Sequence, residues 1–430
     1  MKKLVSLVLA VIMVLSVCCV AAMADDEPIT VTIWHTRGSG KNGDRILASI
    51  EEFNNTIGKE KGIVVTESYQ GNYVNTKSAI MNALGTGDQD IIPEIVVLER
   101  AAGVPDFAIE GKLVDLTPYV EASGIDMENF QQALLGFSYY EGELIALPYI
   151  RSTPVFYYNK TVADELGLKA PETIEDMIEF GKKMTLVENG ETVRYGVYMP
   201  NDPAWFIANM MWQMNSALFN DEGTRIPCLE DGCLEKALTA WRQWVDEGWF
   251  AVPVPTGVSA TEQFSLGKFG AIFNSCGSMA NILSTAEFEV GVCFLPYWDV
   301  PSAPTGGGNI ALLKDNPQEY IDAAWEFVAF LMSDEQIALE ATKTGYLPTT
   351  KTSIETDVIK ELWAEHPQYQ VAFDQLANGH ELPWCEFKAD FEDQMTIICG
   401  QLIQSKEIDV ATAMQKLNEA AENIYMEYGL

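Results

Sequence analysis

Basic residues are scarce in this sequence. Lys and Arg total 27 against 62 Asp and Glu, a net charge of −35 over 430 residues. A field of that sign repels phosphodiester backbones and anionic membrane surfaces, so no nucleic acid and no such membrane is expected as a partner. Arginine is absent after Arg242. Only three histidines occur, His35, His366 and His380, and no CxxC pair accompanies them, which removes the usual zinc-ligand spacings. No metal and no cofactor is therefore expected. Beyond Cys18 and Cys19, the remaining cysteines are too sparse for a disulfide scaffold. Cys228 and Cys233, flanking the turn-forming LEDG, have the spacing of a short hairpin disulfide in an oxidising compartment. The phosphate loop GxxxxGK[ST] and the nucleophile elbow GxSxG are both missing. Carboxylates abound, but in an acidic chain most are solvated surface, and no pair stands out as an acid and base. No catalytic residue is assigned.

Long apolar runs are also lacking after the first 24 residues. Before that point Lys2-Lys3 precede an uncharged stretch from Leu4 to Val20, then Ala22-Met23-Ala24 and the acidic Asp25-Asp26-Glu27. This is the pattern of a secretory signal peptide cleaved after Ala24. The run is marginal against the roughly 20 residues needed to span a bilayer. Lipid attachment at Cys18 or Cys19 ranks second, because the preceding residue is Val17 or Cys18 and not a small one. The expected location is the periplasm or the outer face of the cytoplasmic membrane.

What is present is an α/β rhythm. ITVTIWHT alternates like a strand, DRILASIEEFN (44–54) spaces its apolar residues like a helix, and GIVVTESY (62–69) is a second strand. A helix over Asn75 to Leu84 and the short strand EIVVLE (94–99) continue the pattern, which predicts sheets flanked by helices. The rhythm restarts near residue 145. A helix is predicted over Thr173 to Met184 with a capping box at Thr173 and Asp176, and strands at GAIFNS (270–275) and VGVCFLPY (290–297). Helices fill most of the rest, including Ala411 to Tyr428. Gly38 to Gly43 matches GxGxxG formally, but an exported protein rarely meets NAD, and a loop capping a helix is the plainer reading. No flexible linker separates the two α/β bodies, so the chain is expected to cross between them more than once.

Several stretches together resemble the extracytoplasmic solute-binding proteins of ABC importers. They are GNYVNTKSAI (71–80), LPYIRSTPVFYYNKTVADELGLKAPET (147–173), GSMANI (277–282), GGGNIALL (306–313) and KTGYLPTTK (343–351). The likeness runs from about residue 30 to the C-terminus and points to the carbohydrate and sn-glycerol-phosphate branch, itself similar to maltose-type binders. The resemblance implies a two-lobed, type II periplasmic-binding-protein fold. Each lobe would be a mostly parallel sheet flanked by helices, and three crossings would form a hinge near residues 147–160, 306–308 and 346. It divides the chain into a signal peptide (1–24), an N-terminal lobe (25–153 plus 307–345) and a C-terminal lobe (154–306 plus 346–430).

The same resemblance implies ligand contacts from Tyr73, Glu99, Ser152, Trp205, Ser275, Gly307 and Tyr346. Such a set suits a polyol, with carboxylate and hydroxyls for ligand OH groups and aromatic walls for C–H faces. One departure matters. The glycerol-phosphate branch grips phosphate with an arginine in its C-terminal part, and the corresponding DFEDQMTIICG (390–400) is acidic or apolar. Arg151, with Arg37, is the candidate to replace that grip; otherwise the solute is expected to be neutral, such as a sugar or oligosaccharide. The expected protein is a monomeric, non-enzymatic binder that closes on a small solute and delivers it to ABC permease subunits. The alternative is an exported hydrolase working on a sugar or phosphodiester in the same cleft, and a chemosensory role with a receptor partner also fits the sequence.

Overall fold

The computed structural model describes residues 27–99, 103–255 and 257–430. The signal peptide and Cys18 and Cys19 lie outside the described residues. Strand Ile29–His35 (β1) buries Val31, Ile33 and His35 on alternate positions, the period of a pleated strand. Helix Lys41–Asn55 (α1) follows, with Ile46, Ile50 and Phe53 four and three residues apart on its buried stripe. Then come strand Ile63–Tyr69 (β2), helix Tyr73–Thr86 (α2) and the fully buried strand Ile95–Leu98 (β3).

LPYIRS and PVFYYN are two strands, Leu147–Ser152 (β4) and Pro154–Asn159 (β5), and they belong to different sheets. Only Thr153 separates them. Pro154 lacks the N–H that would continue the first ladder, so the chain changes sheet there. Beyond it, helix Ile174–Met184 (α3) carries the anticipated capping box: the Thr173 hydroxyl accepts from Asp176 N–H at 3.1 Å, and Asp176 Oδ2 accepts from Thr173 N–H at 3.1 Å. Strands Leu186–Glu188 (β6) and Glu191–Tyr198 (β7), helix Cys233–Asp246 (α4), strand Phe269–Ser275 (β8), helix Met279–Thr285 (α5) and strand Val290–Cys293 (β9) complete the second body. β9 stops short of the expected Tyr297, with Pro296 unable to donate to a ladder. Strand Gly306–Leu312 (β10) returns to the first sheet and leads to helices Gln318–Leu331 (α6) and Asp334–Thr344 (α7). Helices Lys388–Cys399 (α8) and Val410–Tyr428 (α9) pack on the second body.

The first sheet runs β2-β1-β3-β10-β4 and the second β9-β5-β8-β7-β6. Neither is mostly parallel, which corrects the expectation. In the first, β1 is parallel to β2 and β3, while β10 is antiparallel to β3 (Ile310 opposite Val97) and to β4 (Gly306 opposite Ser152). In the second, β8 is parallel to β7, but β5 is antiparallel to β8 and β9, and β6 to β7. The cause is the crossing itself. A strand that leaves one sheet at its carboxyl end enters the next at the end facing the seam, and so runs against that sheet's own strands.

Each body has its own core. Val31, Ile33, Phe53, Ile150, Ile310 and Phe327 cluster in the first. Phe156, Met177, Phe180, Trp241 and Phe391 cluster in the second. Large side chains buried this completely contribute about 1.5–3 kcal/mol each. Cys228 and Cys233 are both free thiols, so the short disulfide is not formed. Among the described residues no helix is long and apolar enough to cross a membrane.

Candidate ligand-binding cleft

The carboxyl ends of β3, β4, β7 and β8 converge on the seam between the sheets, the usual ligand position of open α/β folds. A cavity of about 470 Å³ lies there. Seven of the eight anticipated residues line it: Tyr73, Glu99, Ser152, Trp205, Ser275, Gly307 and Tyr346. A depression of about 540 Å³ lined by Thr30, Thr32 and Glu94 contains none of them. That one lies toward the start of β1, away from the carboxyl ends.

Local structure explains how each side chain arrives. Tyr73 opens α2 directly after its N-cap, Asn72, whose side chain accepts from Asn75 N–H at 2.8 Å. Burial pushes the Tyr73 phenol well up, helped by nearby Tyr346 and Glu99, while a hydrogen bond with Thr36 acts the other way. Glu99 follows the last residue of β3, and Ser152 is the last of β4, 2 % exposed. Ser275 ends β8; its Oγ accepts from Gly277 N–H at 3.1 Å and its carbonyl from the Tyr157 hydroxyl at 2.8 Å.

Two aromatic walls are seated on glycine. Trp205 sits in the helical turn Pro203–Ile207, whose N-cap Asp202 accepts from Trp205 N–H at 3.3 Å. Its ring lies against Gly306, where a Cβ would come within 2.6 Å of Trp205 Cζ2. Tyr346 follows Gly345, and a Cβ on Gly277 would stand 2.6 Å from Tyr346 Cε1. Burial pushes the Tyr346 phenol to about 12. Both walls thus need a bare backbone on the opposite strand or turn.

Arg151, the eighth anticipated residue, does not line the cavity. It alternates with Ser152 along β4 and points away. Its guanidinium pairs with Glu381 and donates to Gly307 O at 3.1 Å and Asn309 Oδ1 at 3.0 Å, at 1 % exposure. Arg37 is equally committed. It donates to Glu340 through Nη1 at 2.8 Å and Nη2 at 2.7 Å, and to the Tyr149 hydroxyl at 2.9 Å. Both arginines are held by carboxylates of the protein, the fork geometry an anionic ligand would otherwise use.

Other lining residues were not singled out from the sequence: Asp202, Phe206, Asn274, Glu392, Asp393 and Thr396. The acidic run in DFEDQ was the available signal for two of them. On α8, residues 392, 393 and 396 fall within one turn and face the seam together. The GxGxxG loop has no nucleotide geometry. It caps α1 and reaches the second body, with Lys41 N–H donating to Asn281 Oδ1 at 3.1 Å and Asn42 Nδ2 to Gly277 O at 3.2 Å.

The sequence profile of bacterial extracellular solute-binding proteins matches residues 48–368. The chain belongs to that family. It is 25% identical to the sn-glycerol-3-phosphate-binding periplasmic protein UgpB of Escherichia coli K12, over 94% of this chain and 93% of the relative. Among solved structures, UgpB from Mycobacterium tuberculosis in complex with glycerophosphocholine superposes with a TM-score of 0.81 at 22% identity, covering 94% of this chain and 99% of that one. An ABC substrate-binding protein from Listeria monocytogenes in complex with cycloalternan gives 0.81 at 17% identity, with 94% and 100% covered. Maltose-bound MalE3 of Thermotoga maritima gives 0.79 at 17% identity, with 93% and 99% covered. The fold is thus the two-lobed type II binding-protein fold, and the cavity sits at the interlobe seam where such proteins close by hinge motion.

Proposed function

We propose that this chain captures a small polyhydroxylated solute in the interlobe cleft, closes on it, and hands it to the membrane subunits of an ABC importer. The reading takes the lobes as 25–153 plus 307–345 and 154–306 plus 346–430, and the mature protein as exported after cleavage at Ala24. It is a binder and catalyses no chemical step. The observation that carries it is the make-up of the cavity: hydroxyls, carboxylates and three aromatic rings contributed by both sheets and by the strands between them. The volume of about 470 Å³ suits a mono- or disaccharide-sized solute. Arg151 drops out of the proposed set, because its donors are used inside the protein.

A thermal-shift screen over sugars, polyols and phosphoesters tests the reading. A ligand at 100 times its Kd stabilises by about 2.7 kcal/mol, enough to move the melting temperature measurably. The shift should vanish in Trp205→Ala and in Tyr346→Ala. A hit whose shift survives both substitutions binds elsewhere, and product released from a glycerophosphodiester or glycan during the assay would replace the binder with the hydrolase.

A further inference from the structure

The wall of the cleft is acidic in a way that its presumed solute class does not require. Glu99, Asp202, Glu392 and Asp393 all line it, and among the described residues no lysine or arginine does. The decisive group is Glu392. Only 7 % exposed, it receives Lys388 Nζ on Oε2 at 2.8 Å, from one turn earlier in α8. Its other oxygen, Oε1, is buried with no hydrogen-bond partner. A buried carboxylate oxygen left without a donor is costly, and the donor it lacks has to come from whatever fills the cavity.

From these observations, and resting on the cleft being the binding site, we propose that the solute carries a positive charge: a protonated amine on a sugar or polyol, set against the Glu392 and Asp393 carboxylates. A neutral hydroxyl would satisfy Oε1 as a donor, but closing over a neutral solute strips water from several carboxylates without bringing a countercharge. An ammonium brings both the donor and the charge. The rings of Tyr73, Trp205, Phe206 and Tyr346 around the same space add favourable faces for a cation. An anionic phosphate would meet like charges on this wall and find the two nearby arginines already paired.

The test uses the full mature chain and pairs of probes that differ in charge. Glucosamine and its β-1,4-linked disaccharide are set against glucose, N-acetylglucosamine and cellobiose, with glycerol 3-phosphate as the anion. Melting temperature and tryptophan fluorescence are both read. The amino probes should bind at least tenfold tighter than their neutral partners. Glu392→Gln should cut that preference by about tenfold or more, as expected for removal of a charged partner. Because Glu392 is paired with a buried lysine, the exposed Asp393→Asn serves as the second variant; it should keep the apo melting temperature and lose part of the preference. Equal or tighter binding of a neutral or anionic probe overturns the inference, as does the absence of any response to the amino probes. If a neutral sugar binds and Trp205→Ala abolishes it, the cleft reading stands and only the charge is wrong. An amine response that survives both Trp205→Ala and Tyr346→Ala removes the cleft reading as well.

Discussion

The two sides of hinge strand β4 differ in how their charges are used. On the Ser152 side lies the cleft, walled by carboxylates, with a buried Glu392 oxygen waiting for a donor. On the Tyr149 and Arg151 side the charges are matched internally: Arg37 forks onto Glu340, and Arg151 pairs with Glu381. The same residue types thus do opposite work a few ångströms apart. Where an arginine and a glutamate meet, they fasten the lobe or the crossing. Where glutamate faces open volume, it selects what enters. The lesson is that an arginine near a binding cleft is evidence for an anionic ligand only after its internal partners have been counted.

The largest effect should come from breaking the matched side. Glu340→Ala strands the Arg37 guanidinium, 4 % exposed, without its carboxylate. Removing one partner of a buried pair costs about 3–5 kcal/mol. Urea unfolding should show a loss of that size. A loss below about 1 kcal/mol would mean that the pair is solvated in solution and the contrast between the two sides is weaker than drawn.

Gly306→Ala tests the cleft side through packing. The new methyl would stand 2.6 Å from Trp205 Cζ2, in a strand where neither neighbour yields easily. Overpacking of this kind costs about 1–3 kcal/mol. Trp205 would be displaced, so the solute response should fall by more than stability does. Thr173→Ala is the smaller counterpart, remote from both sides. Losing the α3 cap should cost about 1 kcal/mol and leave the solute-induced shift untouched. A change in that shift would show that the second lobe transmits strain to the seam.

These contrasts were unevenly legible in the sequence. The strands and helices of both bodies follow from period and capping: β1, α1 and the α3 box depend on neighbours within a few residues. The sheet change at Thr153 was visible in Pro154 and in the family likeness. Seven lining positions followed from that likeness, since they sit at strand ends and hinge turns that the fold itself fixes. What was hidden is non-local. Arg37 and Glu340 lie 303 residues apart and Arg151 and Glu381 lie 230 apart, so no local pattern joins them. The mixed strand directions were hidden for a related reason, since direction depends on which sheet the chain has just left. The acidity of 390–393 was plain, but which carboxylate faces the seam depends on the rotation of α8, which tertiary packing sets.

The smallest effect expected is also the one that sharpens the contrast most directly, because it adds positive charge to the matched side. His35 ends β1, 2 % exposed, with Nε2 against Glu67 at 3.0 Å and Nδ1 accepting from Arg37 N–H at 3.1 Å. Burial lowers its pKa below the usual 6.5, and the Arg37 charge acts in the same direction; Glu67 opposes both without winning. The unfolded chain therefore binds a proton more readily than the folded one. It follows that stability rises with pH across the window between the lowered value and 6.5, and that this contribution is fully present above 6.5 and lost as pH falls through the window. Melting curves at pH 7.5 and 5.5 should show the decline, and His35→Gln should reduce it while the many surface carboxylates titrate identically in both proteins. An undiminished decline in the variant would assign the pH dependence to those carboxylates. A reduced one would show that the interior beside β4 resists a further cation, while the cleft on the other side is built to receive one.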